Sequence, residues 1–213
     1  MGLFVNKPLP SDNKFFYTLG QNKTILMVGL GNVGKEYVDT RHNIGFECLD
    51  YFLGKNTQMD KWIEKKNLKC HISLGQLGDT RVIAIKPTTY MNLSGEAVSL
   101  VANFYKIRPE DILVIHDELD IDFGHIRTRD GGSSAGNNGV QSIIDNIGDS
   151  FNRVRVGIGP KHPARISTED FVINKFDKSE SLSIQELKNE VLSIVTEFIY
   201  SGKLNQETRS FLS

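Results

Sequence analysis

The apolar positions of this chain change period several times, and each change marks a predicted element. From Thr24 the run TILMVG is short, apolar and free of polar alternation, the pattern of a central strand buried on both faces. Glycines end it. In IGFECLDYFLGK, Ile44, Cys48, Leu49 and Phe52 recur at helical spacing, so a helix returns behind the sheet. Strand-like stretches follow at Leu68 to Leu74 and Arg81 to Lys86. The unit KPTTYMNLSGEAVSLVANFYKI then predicts a turn, a cap at Asn92 or Ser94, and a helix with Ala97, Val98, Val101 and Phe104 on one stripe. In DILVIHDELD the apolar run Ile112 to Ile115 gives way at once to polar residues, as in a buried strand delivering side chains to its C-terminal edge. FGHIRTRD reads as an edge strand beside it. GGSSAGNNG, with four glycines in nine residues, must be loop. VQSIIDNIG is a short amphipathic helix, RVRVGIG a further strand, and SLSIQELKNEVLSIVTEFIY puts Leu187, Val191, Leu192, Val195 and Ile199 on one helical face. Strands alternating with helices predict one α/β domain over residues 24–213 with a mostly parallel or mixed sheet. Residues 1–23, rich in Pro, Asn, Asp and Ser without a sustained period, read as a loosely attached N-terminal extension.

Composition narrows the class. Over 213 residues, 25 Lys and Arg stand against 26 Asp and Glu, a net charge of −1, which excludes a polybasic coat protein and an acidic disordered tail. No apolar run approaches the roughly 20 residues that a bilayer span needs, so a soluble globular protein is expected. Cys48 and Cys70 are the only cysteines and form no CxxC, which supports neither a disulfide framework nor a cysteine zinc site. Met1 to Leu19 shows neither secretory nor transit pattern, so the expected location is the cytoplasm.

Several constellations could carry chemistry. Gly29-Leu30-Gly31-Asn32-Val33-Gly34 is a GxGxxG after a strand, but a dinucleotide site needs a helix opening at the third glycine, and KEYVDTRHN intervenes. The plain alternative is a tight turn. His42 in that loop and Asp117 at the end of the Ile112 strand can meet in the crevice shared by neighbouring strand ends. A His held by a carboxylate is a general base, because the carboxylate fixes its tautomer and stabilises the imidazolium. His116 is the alternative base, although strand alternation points it to the other face. A lone loop His is also a common structural residue. Asn32, Asn43, Asn92, Asn137 and Asn138 lie in strand-following loops; converging neutral amides suit a substrate made of peptide groups, and single ones suit turns and caps. Ser94 has no GxSxG elbow, and Asp117, Glu118, Asp120 and Asp122 lack the spacing of a metal site, which leaves activated water as the nucleophile. Phe151 to Arg165 carries Arg153, Arg155, Lys161 and Arg165 with no acidic residue, and Arg127 and Arg129 precede it, a basic patch suited to phosphates or simply a solvated face.

Four ordered stretches, VGLGNVGKEYVDTRHNIGF, KPTTYMNLSGEAV, ILVIHDELDIDFG and RVRVGIG, together resemble the bacterial-type peptidyl-tRNA hydrolase family. The resemblance implies a single α/β domain with a twisted mixed, mostly parallel sheet and helices on both faces. It implies an esterase that frees peptide and tRNA from peptidyl-tRNA, acting as a monomer without metal, cofactor, membrane or obligate protein partner. By the same resemblance His42 is the catalytic base and Asp117 orients it. Asn32, Asn92 and Asn138 line the peptide and water site, Tyr37 and Tyr90 flank it, and Arg129 and Arg155 clamp a tRNA phosphate. Neutral asparagines would favour an N-blocked peptide over a free aminoacyl group, whose ammonium would lack an anionic partner. Two features depart from the family pattern. Its usual Gly-His-Asn-Gly reads Gly136-Asn137-Asn138-Gly139 here, which removes a loop His, and the stretch before Thr24 has no counterpart. Rival readings are a non-catalytic RNA-binding relative, like the plastid splicing factor that shares the fold, and a nucleotide-dependent oxidoreductase.

Overall fold

The computed structural model describes residues 23–212, so the expected extension over 1–23 lies, apart from Lys23, outside the described residues. In chain order the elements are β1 (Thr24–Gly29), α1 (Ile44–Lys55), β2 (Ile63–Lys65), β3 (Cys70–Leu77), β4 (Thr80–Pro87), α2 (Ser94–Tyr105), β5 (Ile112–Asp122), β6 (His125–Asp130), α3 (Asn138–Ile147), β7 (Asn152–Gly159), α4 (Thr168–Ile173), α5 (Lys178–Ser181), α6 (Ile184–Ser201) and β8 (Thr208–Ser210). The strands form one sheet in the order β2-β3-β4-β1-β5-β7-β6-β8. β4, β1, β5 and β7 pair in parallel at its centre. β2, β3, β6 and β8 join antiparallel at the two edges. The sheet is mixed as expected, with its parallel pairings confined to the central strands.

The unbroken apolar run of β1 is explained by helices on both faces. Ile25 and Met27 pack with Leu49 and Phe52 of α1 and Leu187, Val191 and Val195 of α6. Leu26 and Val28 pack with Val98 and Val101 of α2 and Val140 and Ile143 of α3. Successive strand residues point to opposite faces, so a strand covered twice has no polar position to spare.

Three local expectations need correction. The helix over Ser94–Tyr105 has Leu93 at its N-cap with no side-chain cap, because a 3-10 turn, Met91–Leu93, leads into it. The first-turn amide of Gly95 bonds instead to Ser142 Oγ of α3 at 3.0 Å. Phe104 leaves the predicted stripe and is 63% exposed, while Ala102 is buried beside Val101. β6 does not sit beside β5, since β7 runs between them. A Cβ on Gly157 would lie 2.3 Å from the Asp122 carbonyl oxygen and 2.8 Å from that of His125, so glycine lets β7 pass between them. Among the described residues, no helix is long and apolar enough to cross a membrane.

Candidate active site

β1 and β5 are neighbours, with Gly29 paired to Ile115, so the loop after β1 and the polar end of β5 open on the same edge of the sheet. Leu30 N donates to Ile115 O at 3.0 Å and pins the loop there. A Cβ on Gly29 would meet the Gly45 carbonyl oxygen at 2.4 Å, and one on Gly31 would meet the Phe46 ring at 2.7 Å. The GLGNVG glycines therefore permit close approach of α1. No helix opens at Gly34; α1 begins at Ile44, after short 3-10 turns at Lys35–Tyr37 and Arg41–Asn43. The dinucleotide geometry is not formed.

His42 lies in the second of those turns, buried, with Nδ1 2.9 Å from both Oδ1 and Oδ2 of Asp117. An Nδ1–H donated to the carboxylate leaves Nε2 as the basic nitrogen on a residue that lines the main cavity. Burial opposes the imidazolium, but the Asp117 charge and hydrogen bond more than offset it and hold the His42 pKa above its ordinary value. Burial likewise opposes the Asp117 carboxylate, and the facing His42 outweighs it, so its pKa is lowered. His116 differs. Its Nδ1 lies 2.7 Å from the Asp117 carbonyl oxygen, and burial pushes its pKa down to about 4. It does not line the cavity.

The cavity holds about 640 Å³. It is lined by Asn32, His42, Tyr90, Met91 and Asn92, by Asp117 to Asp120 of β5, and by Ala135 to Asn138 at the start of α3. α4 contributes Thr168, Glu169, Val172 and Ile173 to the lining. Asn32 is held from two directions. Asn43 Oδ1 accepts from Asn32 N at 2.8 Å, and Asn43 Nδ2 donates to Asn32 O at 2.9 Å. Asn32 Oδ1 accepts from Met91 N at 2.9 Å, which leaves Nδ2 as the donor available to a bound molecule. Sequence reasoning gave Asn43 no distinct role, and the structure makes it the clasp beneath Asn32. Asn137 Nδ2 reaches Asp117 itself, 3.2 Å from Oδ1.

The expected residues do not all converge. Asn32, His42, Tyr90, Asn92, Asp117 and Asn138 line the cavity, whereas Tyr37, half-buried in its 3-10 turn, does not. Arg129 on β6 and Arg155 on β7 also lie outside the lining. The β6–β7 register sets Arg127 against Arg155 and Arg129 against Arg153, which puts the four on one face of the sheet. Arg155 Nε donates to Glu118 Oε2 at 3.1 Å. Arg153 is buried, and its guanidinium donates to the carbonyls of Gly132 and Ser133, so it serves the glycine-rich loop rather than a solvated face. Asp120 and Glu169 line the cavity beside the asparagines, so an ammonium there would not lack an anion and the selectivity argument from neutral amides fails.

The α4 wall went unforeseen, although Ser167 followed by Asp170 is a capping signature: Asp170 N donates to Ser167 Oγ at 3.0 Å. Arg41 ties this wall to His42. Its guanidinium bonds Lys175 O and Glu180, and it sits 4.4 Å from the Phe171 ring centre and 5.2 Å from that of Phe176. Among the described residues, no group of three or more His, Cys, Asp or Glu is placed to hold a metal ion.

The arrangement suits water-borne attack on a carbonyl: a buried base with one free nitrogen, amide donors beside it, and room for an acyl chain. Residues 26–212 match the family model described as peptidyl-tRNA hydrolase. A protein named peptidyl-tRNA hydrolase from Brevibacillus brevis is 42% identical over 165 residues, covering 76% of this chain and 84% of that protein. One of the same name from Staphylococcus aureus strain JH9 is 36% identical over 186 residues, 87% of this chain and 96% of its own length. A crystal structure of peptidyl-tRNA hydrolase from Acinetobacter baumannii superposes with a TM-score of 0.77 at 35% identity, covering 85% of this chain and 90% of that one. The match over nearly all the described residues, together with these identities, shows that the chain belongs to the peptidyl-tRNA hydrolase family.

Proposed function

We propose that the protein cleaves the ester bond between peptide and tRNA with a water activated by His42. The observation that carries this reading is the His42–Asp117 pair at 2.9 Å, opening on a cavity that Asn32, Asn92 and Asn138 also line. His42 Nε2 takes a proton from water as the water attacks the ester carbonyl, and Asp117 stabilises the imidazolium that forms. Asn32 Nδ2 donates to the developing oxyanion, a role its bond to Met91 N leaves open. The tetrahedral intermediate expels the terminal ribose hydroxyl, which recovers the proton from His42. An ester needs no covalent enzyme intermediate, which accords with Ser94 being buried and without a base.

Asn92 and Asn138 contact peptide groups, Tyr90 flanks the scissile end, and Arg129 and Arg155 meet a tRNA phosphate beyond the cavity. On this reading the enzyme acts as a soluble cytoplasmic monomer with water as its only co-reactant.

The test is release of N-acetylated amino acid from N-acetyl-aminoacyl-tRNA, with and without chelator, by wild type and by the His42→Ala variant. Wild type should cleave in chelator, and the variant should lose roughly 10²-fold or more in kcat while still binding tRNA. Wild type that binds tRNA without cleaving it would instead make the protein an RNA-binding relative.

A further inference from the structure

Asn137 stands at the N-terminus of α3 with its polar groups engaged. Its Oδ1 accepts from Gly139 N at 3.0 Å and Val140 N at 3.1 Å. Its backbone N donates to Ser134 O and its carbonyl accepts from Gln141 N, both at 3.0 Å. Capping accounts for the side-chain oxygen, but Ser or Asp would cap as well. Capping does not account for the nitrogen. Nδ2 donates to the Asp117 carbonyl oxygen at 3.1 Å and to Asp117 Oδ1 at 3.2 Å, two contacts across twenty residues of sequence. Asp117 is 3% exposed, and among the described residues the side chains that reach its carboxylate are His42 and Asn137.

We propose that Asn137 is a positioning residue for the catalytic pair, its Nδ2 holding the Asp117 carboxylate in the orientation that His42 Nδ1 requires. The proposal rests on the hydrolytic reading of this site and deepens it. Two fixed contacts, one to the backbone and one to the carboxylate of the same residue, hinder rotation of that carboxylate away from His42. The hydrogen bond to the anion also offsets part of its burial. A primary amide does not titrate, so this brace persists over the whole pH range, whereas an imidazole in the same place would change charge with pH. The same side chain fixes the first turn of α3 to Asp117, and with it Asn138, the next residue, which lines the cavity.

Asn137→Asp and Asn137→Ser separate the two jobs. Each keeps an oxygen for the helix cap, so α3 should stay capped, and each loses the N–H offered to Asp117, which should lower thermal stability modestly, and more for Asn137→Asp. With the carboxylate less well compensated, protonated His42 becomes the favoured partner. The His42 midpoint, followed by NMR of the ring, should move to higher pH in both variants, by roughly one pH unit or more for Asn137→Asp, which adds a like charge. In both, kcat should fall roughly tenfold or more with KM little changed. Asn137→His, which restores a ring N–H donor, should recover kcat to within a few-fold of wild type. An unmoved His42 midpoint with wild-type kcat in both variants would make Asn137 a helix cap alone and overturn the proposal. Should wild type prove inactive, the hydrolytic reading fails by itself, and the His42 midpoint still decides whether the brace exists.

Discussion

The imidazole of His42 is buried against a carboxylate, and the sign of its pKa shift decides how the enzyme should respond to pH. Water activation needs the neutral ring. Because Asp117 holds the His42 pKa above its ordinary value, the acid limb of kcat/KM should lie above pH ~6.5, with activity rising as pH increases through it. Asp117→Asn removes the charge that raises the pKa and leaves burial, which lowers it, so the limb should move below pH ~6.5. The same change frees the ring to adopt the wrong tautomer, and kcat should fall by roughly 10²- to 10⁴-fold; a pH–rate profile of both proteins checks the two effects together. Stability follows the same signs. The contribution of His42 is present at low pH and lost as pH rises through its folded pKa, and that of Asp117 is lost as pH falls through its lowered one. His42 and Asp117 were legible from the chain because one lies in the loop after β1 and the other just past the apolar run of β5, at the edge where α/β sites form. Asn43 and Asn137 were visible only as members of a set of loop asparagines suited to a peptide substrate or to turns. Nothing in their local spacing says that one clasps Asn32 and the other reaches Asp117.

At the scale of elements, the site depends on how closely β1, α1 and the segment around α4 are held together. GLGNVG looked like a phosphate loop because glycines allow close backbone approach, and they do so here, toward α1 instead of a ligand. Six of the eight strands were legible from apolar runs or alternation; β2 and β8, three residues each and largely exposed, were not, and the strand order was not either, since passage of β7 between β5 and β6 depends on which neighbours Gly157 admits. α4 is six residues long, too short to show a period. Its attachment rests on Arg41, 6% exposed, whose guanidinium holds Lys175 O and Glu180 between two phenylalanine rings. Removing one partner of a buried ion pair leaves the other uncompensated. Arg41→Ala should therefore cost about 3 kcal/mol in urea unfolding. Because the segment it releases carries the cavity wall from Thr168 to Ile173, amide exchange there should quicken and KM should rise more than kcat falls. Unchanged exchange in α4 would show that the wall is held by Phe171 and Val172 alone.

For the whole molecule, a net charge of −1 hides an uneven distribution. Arg127, Arg129, Arg153 and Arg155 share one face of β6 and β7, yet they are not equivalent as phosphate ligands. Arg153 is buried and gives its donors to loop carbonyls, and Arg155 is paired with Glu118 at 3.1 Å. Arg129 is half-buried and not ion-paired among the described residues, and it lies against the loop at Gly132, where a Cβ would come within 2.3 Å of its Nη2. Phosphate attraction should therefore fall most heavily on Arg129, with Arg155 partly neutralised and Arg127 reaching from the exposed end. Such attraction weakens with salt in proportion to the number of phosphates neutralised. Arg129→Ala should raise KM for full-length peptidyl-tRNA and lower the slope of log KM against log salt by about one, while leaving kcat in place. A short ester carrying only the terminal nucleotide, unable to span from the cavity to β6, should show neither change. If the salt slope of the variant matches wild type, the arginine face does not meet tRNA, and the charge that draws the substrate must be sought elsewhere on the surface.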